Sequence, residues 1–193
     1  MDLINPDAPA QKSAKYALRE YERRFLLHEI PGGSFERSLR ITDNYISGTR
    51  LRVRRVVENR DGVSTPTYKL TQKVAAPDGG PGLTTNFYLN EAEYNLLAAL
   101  PCHRLSKVRY GLPPFVVDVF EAPLDGLVTA EAEFADEKSL QAFEPPSFVV
   151  AEVTTDVRFT GGRLAVMTRE ELLQLLADFA LAPRRNQKKP QRW

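Results

Sequence analysis

The chain has 193 residues, with 26 Lys/Arg against 25 Asp/Glu and a net charge of +1, the size and balance of a single soluble globular domain. A near-neutral total excludes an overall field that would select nucleic acid or an anionic membrane, so neither is an expected partner. Cys102 is the only cysteine, which excludes an intrachain disulfide and a cysteine-built zinc site; with no run near the roughly 20 apolar residues of a membrane span, a cytoplasmic protein is expected.

Residues 1–14 hold Asp2, Asp7 and two prolines without an apolar run, and read as a flexible leader rather than a signal peptide. Strands are predicted over about 16–28, 38–47, 50–58, 66–75 and 83–89. Asn90 then caps a helix over 91–100, with Glu93 at its third position. Strands return over 104–112, 114–122, 127–134 and 149–153. Turn chemistry punctuates the series at Pro31-Gly32-Gly33, Asp61-Gly62, Asp78-Gly79-Gly80-Pro81-Gly82, Pro113-Pro114 and Asp125-Gly126. Asp136 caps a short helix reaching Phe143. Thr168-Arg169-Glu170-Glu171 is a capping box opening a helix to about Leu181, with Leu172, Leu175, Leu176 and Phe179 on one face. Many strands joined by short links in one domain, 15–182, predict a mainly β (α+β) class and a closed antiparallel barrel braced by a few helices. The tail 183–193 carries five Lys/Arg and no acid, and reads as a basic disordered terminus, with weak anion contact as its functional alternative.

Charge is segregated along the strands. Glu20, Glu22 and Arg24 share one face at period two, where a half-buried strand would alternate apolar with polar. From Arg50 to Lys73 there are seven Lys/Arg and two acids; from Asp118 to Glu137 there are seven acids and no Lys/Arg. Arg50, Arg52 and Arg54 form one cationic row, Lys69 and Lys73 a second, and Lys107 and Arg109 a third. Glu131 and Glu133 form an acidic row, Asp118 lies on the preceding strand, and Glu152 stands within the apolar run Phe148 to Val153. Taken singly, each row suits a wet sheet face. Together, in one small domain, they argue for a shared interior, because converging cations repel unless acids or a polyanion intervene. Carboxylates are hard oxygen ligands for Mg²⁺ or Mn²⁺, and arginine forks with lysine point charges grip phosphate.

In order along the chain, these rows resemble the motifs of the CYTH domain, the triphosphate tunnel metalloenzymes. Glu20-x-Glu22-x-Arg24 resembles the opening ExExK signature, and Arg50-Leu51-Arg52-Val53-Arg54 the RxR strand. Tyr68 to Lys73 is similar to the LTxK strand, and Lys107-Val108-Arg109-Tyr110 to the KxRY element. Asp118-Val119-Phe120 with Gly126-Leu127-x-x-Ala130-Glu131-x-Glu133 resembles DxF…GLxxAExE. Ala151-Glu152-Val153-Thr154 with Arg158-Phe159 resembles the closing EVTxDxRY. The resemblance covers about residues 18–167. It implies an eight-stranded antiparallel barrel forming a tunnel, in which a divalent cation and a triphosphate bind.

By position, the resemblance implies metal ligation by Glu20, Glu22, Glu131, Glu133 and Glu152, assisted by Asp118, and phosphate contacts by Arg50, Arg52, Arg54, Lys69, Lys73, Lys107 and Arg109. Glu20, Glu22, Arg24 and Glu152 are the expected catalytic set. The implied activity is hydrolysis of a triphosphate, most simply inorganic tripolyphosphate, with ATP or thiamine triphosphate as other substrates. Cyclisation of ATP to cyclic AMP and non-catalytic binding of a polyphosphate or nucleotide are the alternatives, and a homodimer is the candidate assembly. Three positions depart from the pattern: Arg24 replaces the lysine, Leu83 to Leu89 lacks the usual Arg and Glu, and Phe159 stands where a tyrosine is common. An arginine keeps the charge but cannot act as a general base. His28, His103 and Cys102 have no ligand or triad spacing and are expected to be ordinary side chains.

Overall fold

The computed structural model describes residues 16–182 apart from 34, 36, 61, 62, 75 and 77–81. The leader 1–14, the basic tail 183–193, the Asp61-Gly62 turn and most of 78–82 therefore lie outside the described residues. Strands β1 (Leu18–Arg19), β2 (Tyr21–Leu27), β3 (Ser38–Ile46), β4 (Leu51–Arg60), β5 (Val63–Val74) and β6 (Leu83–Leu89) precede helix α1 (Glu91–Ala98). Strands β7 (Cys102–Leu112), β8 (Phe115–Phe120) and β9 (Val128–Phe134) follow, then α2 (Glu137–Ala142), β10 (Val149–Glu152), a 3₁₀ turn over Val157–Phe159, α3 (Gly161–Leu164) and α4 (Arg169–Ala177).

All ten strands join one antiparallel sheet in the order β1-β6-β5-β4-β3-β7-β8-β9-β2-β10. This differs from an eight-stranded closed barrel, because the end strands β1 and β10 do not pair with each other. The physical reason lies at Glu20. The first predicted strand breaks there: its N–H donates to the Gly82 carbonyl at 3.1 Å, Leu18 and Arg19 pair with β6, and Tyr21 to Leu27 pair with β9. One run of chain thus reaches both β6 and β9, with only Glu20 between the two pairings.

Capping and turn chemistry behave as the residue types dictate. Asn90 and Thr168 each form a capping box, with Glu93 and Glu171 returning the second bond, and Asp136 caps α2. Gly126, at φ 98°, makes the turn between β8 and β9 that a side chain would strain.

Two apolar clusters lie on opposite faces of the β2–β9–β8–β7 wall. Phe25, Leu27, Tyr110, Phe115, Val117, Val128, Ala130 and Ala132 form the outer one, against which Phe143 at the end of α2 packs edge to face with Phe115. The other uses the opposite period-two positions. Leu26, Leu105 and Phe120 meet Phe159, Leu164, Met167, Leu172, Leu175 and Leu176, so the C-terminal helices plug one end of the inner face. Most of the remaining long side chains on that face of β2, β7, β8 and β9 are charged. Leu176, 1% exposed within the plug, is expected to cost about 2–5 kcal/mol when changed to alanine. Leu173→Ala on the same helix, at a residue 39% exposed, should change stability by about 0.5 kcal/mol or less, both read by denaturant unfolding.

Candidate functional site

The strand registers set which charged side chains meet. Glu22 stands opposite Glu133, and Arg24 opposite Glu131, between β2 and β9. Arg109 faces Asp118 between β7 and β8, Asp43 faces Arg54 between β3 and β4, and Lys69 faces Arg54 between β4 and β5. Directly opposed residues share a face, so the rows of the sequence converge on the inner surface beside the apolar plug.

A chain of ion pairs runs across this surface. Arg24 donates from Nη2 to Glu22 at 2.9 Å and from Nε to Glu131 at 3.2 Å. Arg109 donates from Nη2 to the other Glu131 oxygen at 2.6 Å and forks onto Asp118 at 2.7 Å twice. Lys107 Nζ lies 2.5 Å from Asp118. On the facing wall Arg54 forks onto Asp43 at 2.6 and 2.8 Å, and Arg52 Nε is 3.4 Å from the same carboxylate. Arg52 Nη2 also reaches Thr71 Oγ1 at 3.1 Å, and Thr71 donates to Asn86 Oδ1 at 2.7 Å. Lys73 pairs with Glu20 at 2.5 Å, and Lys69 lies over the Tyr88 ring, 5.2 Å from its centre.

Electrostatics follow from this pairing. Burial works to raise the Asp43 and Asp118 carboxyls, but Arg54 at Asp43, and Lys107 and Arg109 at Asp118, hold both below the ordinary value. Glu131 is only partly buried, its side chain 15% exposed; desolvation raises it, yet Arg109, Lys107 and Arg24 pull it well below the usual glutamate value. Glu22 goes the other way. Burial raises it, Glu131 and Glu20 add to the rise, and Lys73 and Arg24 oppose it.

Most predicted site residues are brought together, with two exceptions. Glu152 pairs in register with Phe25 and so lies on the outer face, where Arg23 grips it at 2.6 and 3.0 Å and Thr154 donates at 2.7 Å. Arg50 is exposed in the turn before β4, outside the ladder that aligns Arg52 and Arg54. Conversely, Asp43 was absent from the predicted set. Stepping back two residues from Tyr45 along the strand places it on the same face, where Tyr45 stands opposite Arg52. Tyr45 is itself fixed: a Cβ on Gly161 would overlap its hydroxyl, so α3 can start against the ring only with glycine there. The β6 wall is neutral, contributing Thr84, Asn86 and Tyr88 to the inner face.

Among the described residues no three His, Cys, Asp or Glu side chains converge into a closed cation cage. Glu22 and Glu133 nevertheless oppose each other on the inner face, and Glu133 has neither a hydrogen bond nor an ion pair among the described residues. Two hard carboxylates without a complete cage suit an ion of the Mg²⁺ kind, which keeps water and takes further oxygens from a phosphate ligand. The donor set therefore fits such an ion. No helix among the described residues is long and apolar enough to cross a membrane.

No protein-family profile matches the chain. It is 28% identical over 165 residues to an inorganic triphosphatase of Nitrosomonas europaea, covering 77% of this chain and 98% of that relative. The crystal structure of the inorganic triphosphatase NE1496 superimposes with a TM-score of 0.53 at 26% identity, covering 78% of this chain and 96% of that one.

Asp118, 0% exposed, anchors both Lys107 and Arg109. Asp118→Asn should therefore cost about 3–5 kcal/mol at neutral pH, since it leaves Lys107 buried without its acid and takes from Arg109 one of its two. The native carboxyl titrates below its unfolded value of about 3.9, so its contribution is present above that value and lost as pH falls through the native one. Denaturant unfolding of both proteins down the pH scale should show their difference closing only in strong acid.

Proposed function

We propose that this chain, a member of the CYTH family of triphosphate tunnel metalloenzymes, hydrolyses the phosphoanhydride bond of a triphosphate, most simply inorganic tripolyphosphate. The observation that carries this reading is one inner face holding Arg52, Arg54, Lys69, Lys73, Lys107 and Arg109 opposite the acids of β2 and β9. The likeness to an inorganic triphosphatase over 98% of that relative's length supports it.

Position on the inner face supports the following roles. Arg52 and Arg54 bind and orient the anionic chain, while Lys69, Lys73, Lys107 and Arg109 also bind it and supply fixed charge that stabilises the charge spreading over phosphoryl oxygens in the transition state. Glu22 and Glu133, with Glu20 at the β1–β2 break, would hold the divalent cation, Mg²⁺ or Mn²⁺. When bound, that ion supplies Lewis-acid polarisation of phosphoryl oxygens. Arg24 holds Glu22 and Glu131 in place and stays charged throughout. The bend of β1–β2 across both ends of the sheet is the feature that would enclose the site as a tunnel. Glu152 and Arg50 take no part.

A second reading, binding without turnover, is favoured by Arg24, because a guanidinium bridging two acids offers no base where the family motif has a lysine. Purified protein incubated with tripolyphosphate and Mg²⁺ or Mn²⁺ distinguishes the two. Phosphate release is expected; saturable binding with no release under either metal supports the binder and sinks the hydrolase. Glu133→Gln should weaken Mn²⁺ affinity by roughly 10- to 100-fold in calorimetry without unfolding the chain. Glu152→Gln, on the outer face, should leave kcat and KM within about 3-fold of the native protein, a change near 0.65 kcal/mol.

A further inference from the structure

We propose that Asp43 is a positioning residue for the cationic wall: it aims Arg52 and Arg54 at the phosphate chain without touching the ligand itself. The proposal rests on the triphosphatase reading above. Asp43 is 1% exposed, on the inner face of β3 directly opposite Arg54. Its two oxygens accept from Arg54 Nε and Nη2, and Oδ1 also lies 3.4 Å from Arg52 Nε.

That geometry decides which donors remain. The fork consumes one edge of the Arg54 guanidinium and leaves Nη1 for a ligand. Arg52 is held on its other side as well, by Thr71 Oγ1 at Nη2 and by the Tyr45 hydroxyl opposite it, so its direction is fixed by three partners. Two guanidiniums sharing one carboxylate carry a net single positive charge; without it, two like charges side by side would swing apart. Asp43 is too buried to meet a phosphate, and its own charge would repel one. Arg54 holds its carboxyl below the ordinary value against the effect of burial, so it stays ionised where triphosphates are polyanions. Asp118 is placed in the same way beneath Lys107 and Arg109 on the other wall, so each arm of the site has one buried acid aligning two cations.

Asp43→Asn keeps the shape and removes the charge. With tripolyphosphate and Mg²⁺, KM should rise roughly 10- to 100-fold while kcat stays within about 3-fold, because the ligand is misaligned in binding rather than at the reacting bond. Calorimetric titration of metal-free protein with tripolyphosphate should show the same loss of affinity. Arg54→Lys keeps the charge but cannot fork, so it should reproduce the KM rise; it also serves if Asp43→Asn does not fold. Affinity that is unchanged or tighter in a folded variant, or a fall in kcat at constant KM, overturns the proposal. If the native protein neither binds nor hydrolyses tripolyphosphate, the triphosphatase reading fails, and the Arg54 Nε–Hε resonance decides the positioning alone. A shift of that resonance in Asp43→Asn supports the anchor, and an unmoved resonance overturns it.

Discussion

The site depends on the continuous ion-pair chain Glu22–Arg24–Glu131–Arg109–Asp118–Lys107. Each of these charges sits where water is scarce, and a buried charge left alone costs several kcal/mol. Loss of Arg24 leaves Glu22 without its arginine, and loss of Asp118 leaves Lys107 without its acid. The chain therefore fixes where the cations point before any ligand arrives, and a preorganised charge needs no rearrangement as the phosphoryl group reacts. It also explains why so few acids are left for a divalent ion. Glu131, Asp118 and Asp43 are occupied in holding cations, while Glu133 is not.

The apolar plug and the charged surface are two halves of one inner face. Leu26 and Arg24 lie two residues apart on β2, Leu105 and Lys107 on β7, and Phe120 and Asp118 on β8. Seating α3 and α4 on the apolar half lowers the dielectric beside the charged half, which strengthens every pair there. Phe159 joins the two directly: its ring lies in the plug and its carbonyl accepts from Arg24 Nη1 at 3.3 Å. The wall opposite is softer. Thr84, Asn86 and Tyr88 of β6 bring hydrogen-bonding and aromatic groups in place of charge, so the cationic side chains of the inner face are concentrated on β4, β5 and β7.

Much of this was legible at period two. The rows Arg52/Arg54, Lys69/Lys73, Lys107/Arg109 and Glu131/Glu133 each keep one face, because a strand that is regular over its length leaves no other option. The three helix caps were legible for an equally local reason, since Asn90, Asp136 and Thr168 bond to backbone three residues on. Period two fails as a guide where the backbone is irregular. Glu152 sits on a four-residue strand whose register shifts between Val149 and Ala151, and that shift decides its face. Arg50 falls just before its strand starts. Glu20 marks the point where one predicted strand becomes two pairings.

The mainly β class, the strand faces and the segregation of acidic from basic rows follow from the amino-acid order alone, because they depend on spacing along the chain. Only the tertiary structure decided which rows meet. Asp43 joins Arg54 by standing opposite it across two strands, Glu152 leaves the site for Arg23, and Arg24 becomes a bridge between two acids instead of a free charge. Cross-strand register is set by the packing of both faces at once, so a partner many residues away cannot be read from local spacing.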